Sequence, residues 1–202
     1  MKLYVITTPT FFVEEHNIIN ALFEEGLDGL HLRKPDSQPI YSERLLRLID
    51  HRWHKRIVVH DHFYLKSEFS LRGIHLNRRN PEPPRNYRGQ LTRSCHSISE
   101  LREWKPRLAY AFLSPIYDSI SKTGYASAFS TQTLEMAAED GTIDSKVVAL
   151  GGIDTANITQ VRNIGFGGAA LMGTLWNRFD NHSSSSYSDL IKHFHTLRKL
   201  AD

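Results

Sequence analysis

The chain has little cysteine, no long apolar run and almost no net charge, and each shortage removes a class of protein. Cys95 is the one cysteine in 202 residues, which excludes a disulfide framework and a cysteine-built zinc cluster. No apolar stretch approaches the ~18–20 residues that a membrane helix needs. The opening MKLYVITTPTFF lacks a secretory apolar core and a small-residue cleavage site, so it reads as a strand. Lys+Arg 25 against Asp+Glu 22 leaves +3 with histidine neutral, too small a surplus to announce a nucleic acid. The expectation is a soluble, cytoplasmic chain with neither nucleic acid nor membrane as partner. Apolar residues at 40% and charged residues at 23% suffice for a real core and argue against disorder.

What is present is a rhythm. Short apolar runs, Leu3–Ile6, Gly29–Leu32, Ile57–Val59, Gly73–Leu76, Leu91–Ser94, Leu108–Leu113, Val147–Leu150 and Gly168–Met172, alternate with segments of helical period. The predicted helices include Tyr41–Arg52, Tyr64–Phe69, Ser97–Trp104, Thr131–Glu139 and Thr155–Asn163, with a last one ending near Leu200. The proline-containing Asn77–Gln90 reads as a long loop, Ser114–Phe129 as a Ser/Gly-rich one, and Asn181–Ser188 as a polar connector. Strict alternation implies parallel strands joined by right-handed crossovers. Eight such units predict one domain over residues 1–202, a closed (β/α)8 TIM barrel at the small end of its size range. The rival, an open doubly wound sheet, usually carries a Gly-rich fingerprint after its first strand, and Thr7-Thr8-Pro9-Thr10 is not one.

A barrel keeps its chemistry at the C-terminal ends of its strands. Here those ends carry Arg33 and Lys34, His60 and Asp61, Arg78 and Arg79, Ser94 and His96, Lys122, and two glycine turns, Gly151-Gly152 and Gly173-Thr174. Such a mouth suits a small anion. Glycine lets backbone N–H groups close on a phosphate after the seventh and eighth strands, where barrels often hold one. The alternative is a pair of ordinary tight turns. His60-Asp61-His62 has the spacing of a metal pair on a strand, but no partner ligands follow from later strands. One polar residue facing the mouth, with two partly exposed imidazoles, is the plainer reading. An imidazole can shuttle a proton near neutral pH, so His96 can do that in a cleft, or it can simply pack at a helix start. Cys95 beside it reads as an inert buried thiol. The arginines at 78, 79, 85, 88 and 93 face only Glu82 across a loop with one aromatic, Tyr87. That is too little stacking for nucleic acid, so Arg78 and Arg79 read as anion-binding.

Six segments in order resemble the thiamine phosphate synthase/TenI family. They are Leu30-His31-Leu32-Arg33-Lys34, Val58-Val59-His60-Asp61, Arg72-Gly73-Ile74-His75-Leu76, Ser94-Cys95-His96-Ser97, Leu113-Ser114-Pro115-Ile116-Tyr117 with Lys122, and Val148-Ala149-Leu150-Gly151-Gly152-Ile153. The resemblance implies an enzyme acting on a small thiazole phosphate, by one of two reactions. Thiamine phosphate synthase joins a pyrimidine pyrophosphate to the thiazole, with Mg2+ and cations carrying the leaving charge. Thiazole tautomerase moves a proton on a thiazole phosphate carboxylate and needs a phosphate anchor, one acid–base group and no cofactor.

The departures choose between them. His60 stands where the synthases have Asn. Asn77-Arg78-Arg79-Asn80 replaces a segment whose acid helps hold magnesium, and Arg33-Lys34 shortens an Arg-x-Lys spacing. Positive neighbours penalise a hard cation. Tautomerase is therefore the first expectation, with His96 and Lys122 catalytic and Asp61 the one metal candidate. Arg33, Lys34, His60, Arg78, Arg79, Ser94, Gly151, Gly152, Gly173 and Thr174 are expected to bind substrate. Synthase is the alternative, and a non-catalytic barrel sensing a phosphorylated metabolite is the third reading. Oligomeric state stays open, a homo-oligomer included.

Overall fold

Eight short strands and the helices between them build the computed structural model, which describes residues 1–118, 128–180 and 186–202. The strands are β1 (Lys2–Ile6), β2 (Gly29–Leu32), β3 (Ile57–Val59), β4 (Gly73–Leu76), β5 (Gln90–Cys95), β6 (Tyr110–Leu113), β7 (Val147–Leu150) and β8 (Gly168–Leu171). Each pairs in parallel with the next, and β8 returns to β1 from Lys2↔Gly168 to Val5↔Leu171. The sheet is a closed barrel, as the alternation predicts. Its helices are α1 (Glu15–Glu24), α2 (Pro39–Leu48), α3 (Leu65–Glu68), α4 (Ile98–Trp104), α5 (Thr131–Glu139), α6 (Ile158–Ile164), α7 (Gly173–Trp176) and α8 (Ser186–Ala201).

Two expected elements differ. The helix read over Tyr41–Arg52 ends at Leu48 and is followed by a separate 3₁₀ turn, His51–Arg56. Asp50 divides them, because its carboxylate accepts from the Arg52 N–H at 3.0 Å and starts the new turn. The short helix α7 begins directly at Gly173, where only a turn was expected. Too few residues separate β8 from the polar connector to show a helical period.

Period-two alternation sorts the strand side chains into two layers. Leu3, Val5, Leu30, Leu32, Ile74 and Leu76 face outward and pack under Ile18, Leu22, Leu46, Phe194 and Leu197 of the helices. Each such burial contributes ~1.5–3 kcal/mol, so this outer shell is the main source of stability. Tyr4, Ile6, Tyr110, Phe112, Val148 and Ala170 form the smaller inner cluster. The inner layer is the unusual one, because several of its places hold polar side chains: His31, His60, His75 and Thr92 are all buried.

Candidate functional site

A cleft of about 700 Å³ opens at the C-terminal ends of the strands. Arg33, His60, Arg78, Arg79, Ser94, His96, Gly151, Gly152, Gly173 and Thr174 line it together. Three expected residues stand apart. Lys122 lies outside the described residues. Lys34 does not reach the cleft. It is buried, with Nζ 2.6 and 2.8 Å from the two Glu15 carboxylate oxygens and 2.7 Å from the Thr10 carbonyl. Strand parity is the reason: Arg33 follows the inward positions of β2 and Lys34 the outward ones. Asp61 is near the cleft but is held by Arg79.

At one pole the chain doubles back at Gly151 and Gly152, with φ of +101° and +65°. A Cβ on Gly152 would lie 2.4 Å from the Asp118 carbonyl oxygen, so only glycine fits there. Across from it, the Thr174 hydroxyl donates to Asp154 at 2.9 Å and meets His193 Nε2 at 3.1 Å. The Asp154 carboxylate is tied in turn to the Thr155 N–H at 2.6 Å. Among the described residues, the N–H groups of Gly152, Gly173 and Thr174 donate to no backbone carbonyl. These are the donors an anion would take. Asp154 and His193, which brace the turn, were not expected; His193 comes from α8, distant in sequence.

At the other pole the cations gather. Arg79 grips Asp61 with Nη2 at 3.0 and 3.2 Å from its two oxygens, and Asn80 Nδ2 adds a contact at 3.2 Å. Burial and the Arg79 charge both lower the Arg33 pKa, and the charges of Asp61 and Asp36 oppose them. A magnesium ion would need the Asp61 carboxylate free and would meet the two positive charges. With Asp61 committed to Arg79, the residues present do not fit the ion. His60 and His62 do not face a common position either. His62 has φ of +53° and turns out to meet the Ser37 carbonyl at 2.9 Å.

Between the poles stands His96. Its Nδ1 lies 3.0 Å from the Ser114 carbonyl oxygen, which accepts only, so this nitrogen carries the proton. In the neutral ring the lone pair is then on Nε2, the nitrogen able to act as base. Ser97 caps α4 by accepting from the Glu100 N–H at 3.0 Å, and Glu100 accepts from the His96 N–H at 2.8 Å. That reciprocal pair fixes the backbone under the imidazole. Cys95 faces the outer core, and burial pushes its thiol up to about 12, so it is inert as expected.

Beneath the cleft lies a histidine cluster that sequence reasoning did not assemble. Ring nitrogens of His31, His60 and His75 lie within 4.8 Å of one another. Burial holds all three neutral, with His75 lowered to about 3. The rings do not converge on a metal: those of His60 and His75 stack at 4.1 Å and 16°. Thr92 donates its hydroxyl proton to the Ile74 carbonyl at 3.2 Å, so it accepts from His75 Nδ1–H at 2.8 Å. His75 Nε2 then accepts from Ser94 at 2.9 Å, which leaves the Ser94 lone pairs facing the cleft. One signal was available: each of His31 and His75 sits between two outward leucine or isoleucine residues, the mark of an inward place.

Fold and cleft together define a small (β/α)8 barrel with a cationic, imidazole-lined mouth. The family model described as thiamine monophosphate synthase (TMP-TENI) matches residues 3–175, and the chain belongs to that family. A thiamine phosphate pyrophosphorylase from Bacteroides thetaiotaomicron is similar throughout. It is 53% identical, with 100% of this chain and 98% of that one covered, at a TM-score of 0.93. The thiamine-phosphate synthase of Actinobacillus succinogenes is 22% identical over 174 residues, covering 79% of this chain and 78% of its own. The thiamine phosphate pyrophosphorylase of Pyrococcus furiosus, 20% identical over 99% of this chain and 95% of its own, shares the fold at a TM-score of 0.73. This is an enzyme family of thiamine biosynthesis. No helix among the described residues is long and apolar enough to cross a membrane.

Proposed function

We propose that this chain acts on a thiazole phosphate and that its reaction is the thiazole proton shift. The observation that carries the reading is the His96 imidazole, whose Nδ1 proton is committed to the Ser114 carbonyl and whose Nε2 has no partner among the described residues. In this reading the glycine turns hold the phosphate, Arg33 and Arg78 hold the opposite end, and His96 takes a ring proton and returns one at another ring atom. A neutral imidazole does both, since its two forms are close in energy near pH 7. No metal enters, in keeping with the Asp61–Arg79 pair.

Thiamine phosphate synthase is the second reading, and the names of the relatives favour it over the first. The 53% identical relative is titled a thiamine phosphate pyrophosphorylase. Here Arg33, Arg78 and Arg79 would hold the diphosphate, as guanidinium groups grip phosphate oxygens bidentately. The test incubates the chain separately with the two substrate sets. A thiazole phosphate carboxylate that becomes aromatic without added metal supports the first reading. Thiamine phosphate formed from the pyrimidine pyrophosphate and thiazole phosphate transfers the assignment to the second. Binding without turnover of either set leaves a phosphometabolite sensor.

A further inference from the structure

A buried hydrogen-bond chain runs from the inner floor of the barrel to the cleft. Tyr110 Oη lies 2.7 Å from His31 Nε2, and His31 Nδ1 lies 2.9 Å from His60 Nε2. Among the described residues the His31 nitrogens have no other partner, and neither does the Tyr110 hydroxyl, which is 5% exposed. Its direction follows from satisfaction of the hydroxyl. The Tyr110 proton has one acceptor within reach, His31 Nε2. With that nitrogen accepting, neutral His31 carries its proton on Nδ1 and donates it to His60 Nε2. Neutral His60 must then carry its proton on Nδ1. The opposite polarity would leave a buried hydroxyl proton with no acceptor.

That last N–H meets the cleft. His60 lines it and is 4% exposed, and its Nδ1 has no partner among the described residues. The fully buried unpaired side-chain nitrogens among the described residues are Trp53 Nε1 and Arg198 Nε, so His60 Nδ1 is reached from the opening. Around it stand His75 stacked on one face, His31 edge-on, and the Arg33 and Arg79 charges. Asp61, the nearby acid, is committed to Arg79.

We infer that His60 is a fixed, neutral N–H donor that receives an anionic oxygen of the ligand beside Arg33, with Tyr110 and His31 as the positioning residues that set its tautomer. A neutral donor in a dry site stabilises charge without surrendering its proton. The inference rests on the thiazole phosphate reading for its ligand, where the oxygen belongs to a carboxylate. In the synthase reading it belongs to a diphosphate.

The experiment uses Tyr110→Phe, which removes one oxygen and keeps the ring that stacks on Tyr4 at 4.9 Å. In the full chain labelled with 15N at histidine, His60 is expected neutral with its proton on Nδ1 from pH 8 to pH 5. Tyr110→Phe should spread that proton over both nitrogens. Calorimetric titration then uses three probes: thiazole phosphate, its 2-carboxylate and inorganic pyrophosphate. Tyr110→Phe should weaken the carboxylate about twofold, because only about half of the His60 population then carries the donor proton, and spare plain thiazole phosphate. The same loss on pyrophosphate alone keeps the donor and identifies the oxygen as diphosphate. A proton on Nε2 of His60, a cationic His60 at pH 6, or spectra and affinities unmoved by Tyr110→Phe overturns the inference. If thiazole phosphate does not bind at all, the functional reading fails while the spectra still decide the tautomer.

Discussion

Gly152→Ala tests the phosphate pole, and Gly165→Ala is its control. Both glycines have positive φ, +65° and +105°. An L residue held in that region costs ~1–2 kcal/mol. At Gly165 an added Cβ meets nothing within 4 Å, so that variant isolates the backbone cost. In a domain of this size it should lower Tm by about 2–8 °C. At Gly152 the Cβ would lie 2.4 Å from the Asp118 oxygen and 2.9 Å from the Tyr117 carbonyl carbon, both inside the 3.4 Å at which ordinary contact begins. Both atoms are backbone, so the turn itself must shift and carry its N–H groups with it. Losing one charge-assisted hydrogen bond costs ~1.5–3 kcal/mol, or about 10–150-fold in affinity. Titration with thiazole phosphate and with the unphosphorylated thiazole alcohol separates the effects. Gly152→Ala should weaken the phosphorylated ligand by that factor and leave the alcohol nearly alone, while Gly165→Ala changes neither affinity. Equal weakening of both ligands by Gly152→Ala would refute the assignment of phosphate to this turn.

His96→Asn should lower turnover about 10²–10⁴-fold with little change in ligand affinity; near wild-type turnover would move the proton transfer to another group. Pyrophosphate binding should be indifferent to EDTA and should fall when Arg78 and Arg79 are both replaced by Ala, and a collapse on adding EDTA would restore a metal to the site. The buried histidines should make the fold acid-sensitive. His31, His60 and His75 have folded pKa values below the unfolded value near 6.5, so below that pH the unfolded chain binds protons that the folded one refuses. Stability is then lost on acidification at up to ~1.4 kcal/mol per pH unit for each histidine, and His31→Gln should flatten the slope by about one histidine's share. A melting temperature level from pH 7 to pH 5 would contradict this. Lys34→Met leaves Glu15 buried without its cation and should cost ~3–5 kcal/mol in denaturant unfolding, with the folded fraction as active as the wild type; a fall in that activity with no fall in stability would return Lys34 to the cleft.

The barrel itself was legible because each of its signals is local. Alternating runs such as Leu30-His31-Leu32, and the helix stops after them, are set by neighbours two to four residues apart, and eight repeats admit few topologies. The Gly151-Gly152 turn was legible for the same reason, since φ of +101° and +65° is a local conformation that glycine adopts without strain. Tertiary structure decided which charges are free. Lys34 and Arg33 are adjacent, yet one faces Glu15 in the wall and the other the cleft, by strand parity. Arg79 follows β4 and Asp61 follows β3, so only the pairing of those strands shows that the arginine closes the carboxylate. The chain from Tyr110 through His31 to His60 joins β6, β2 and β3 across the barrel interior. Contacts of that kind depend on closure of the whole sheet, because no local pattern measures the distance between opposite walls of a barrel.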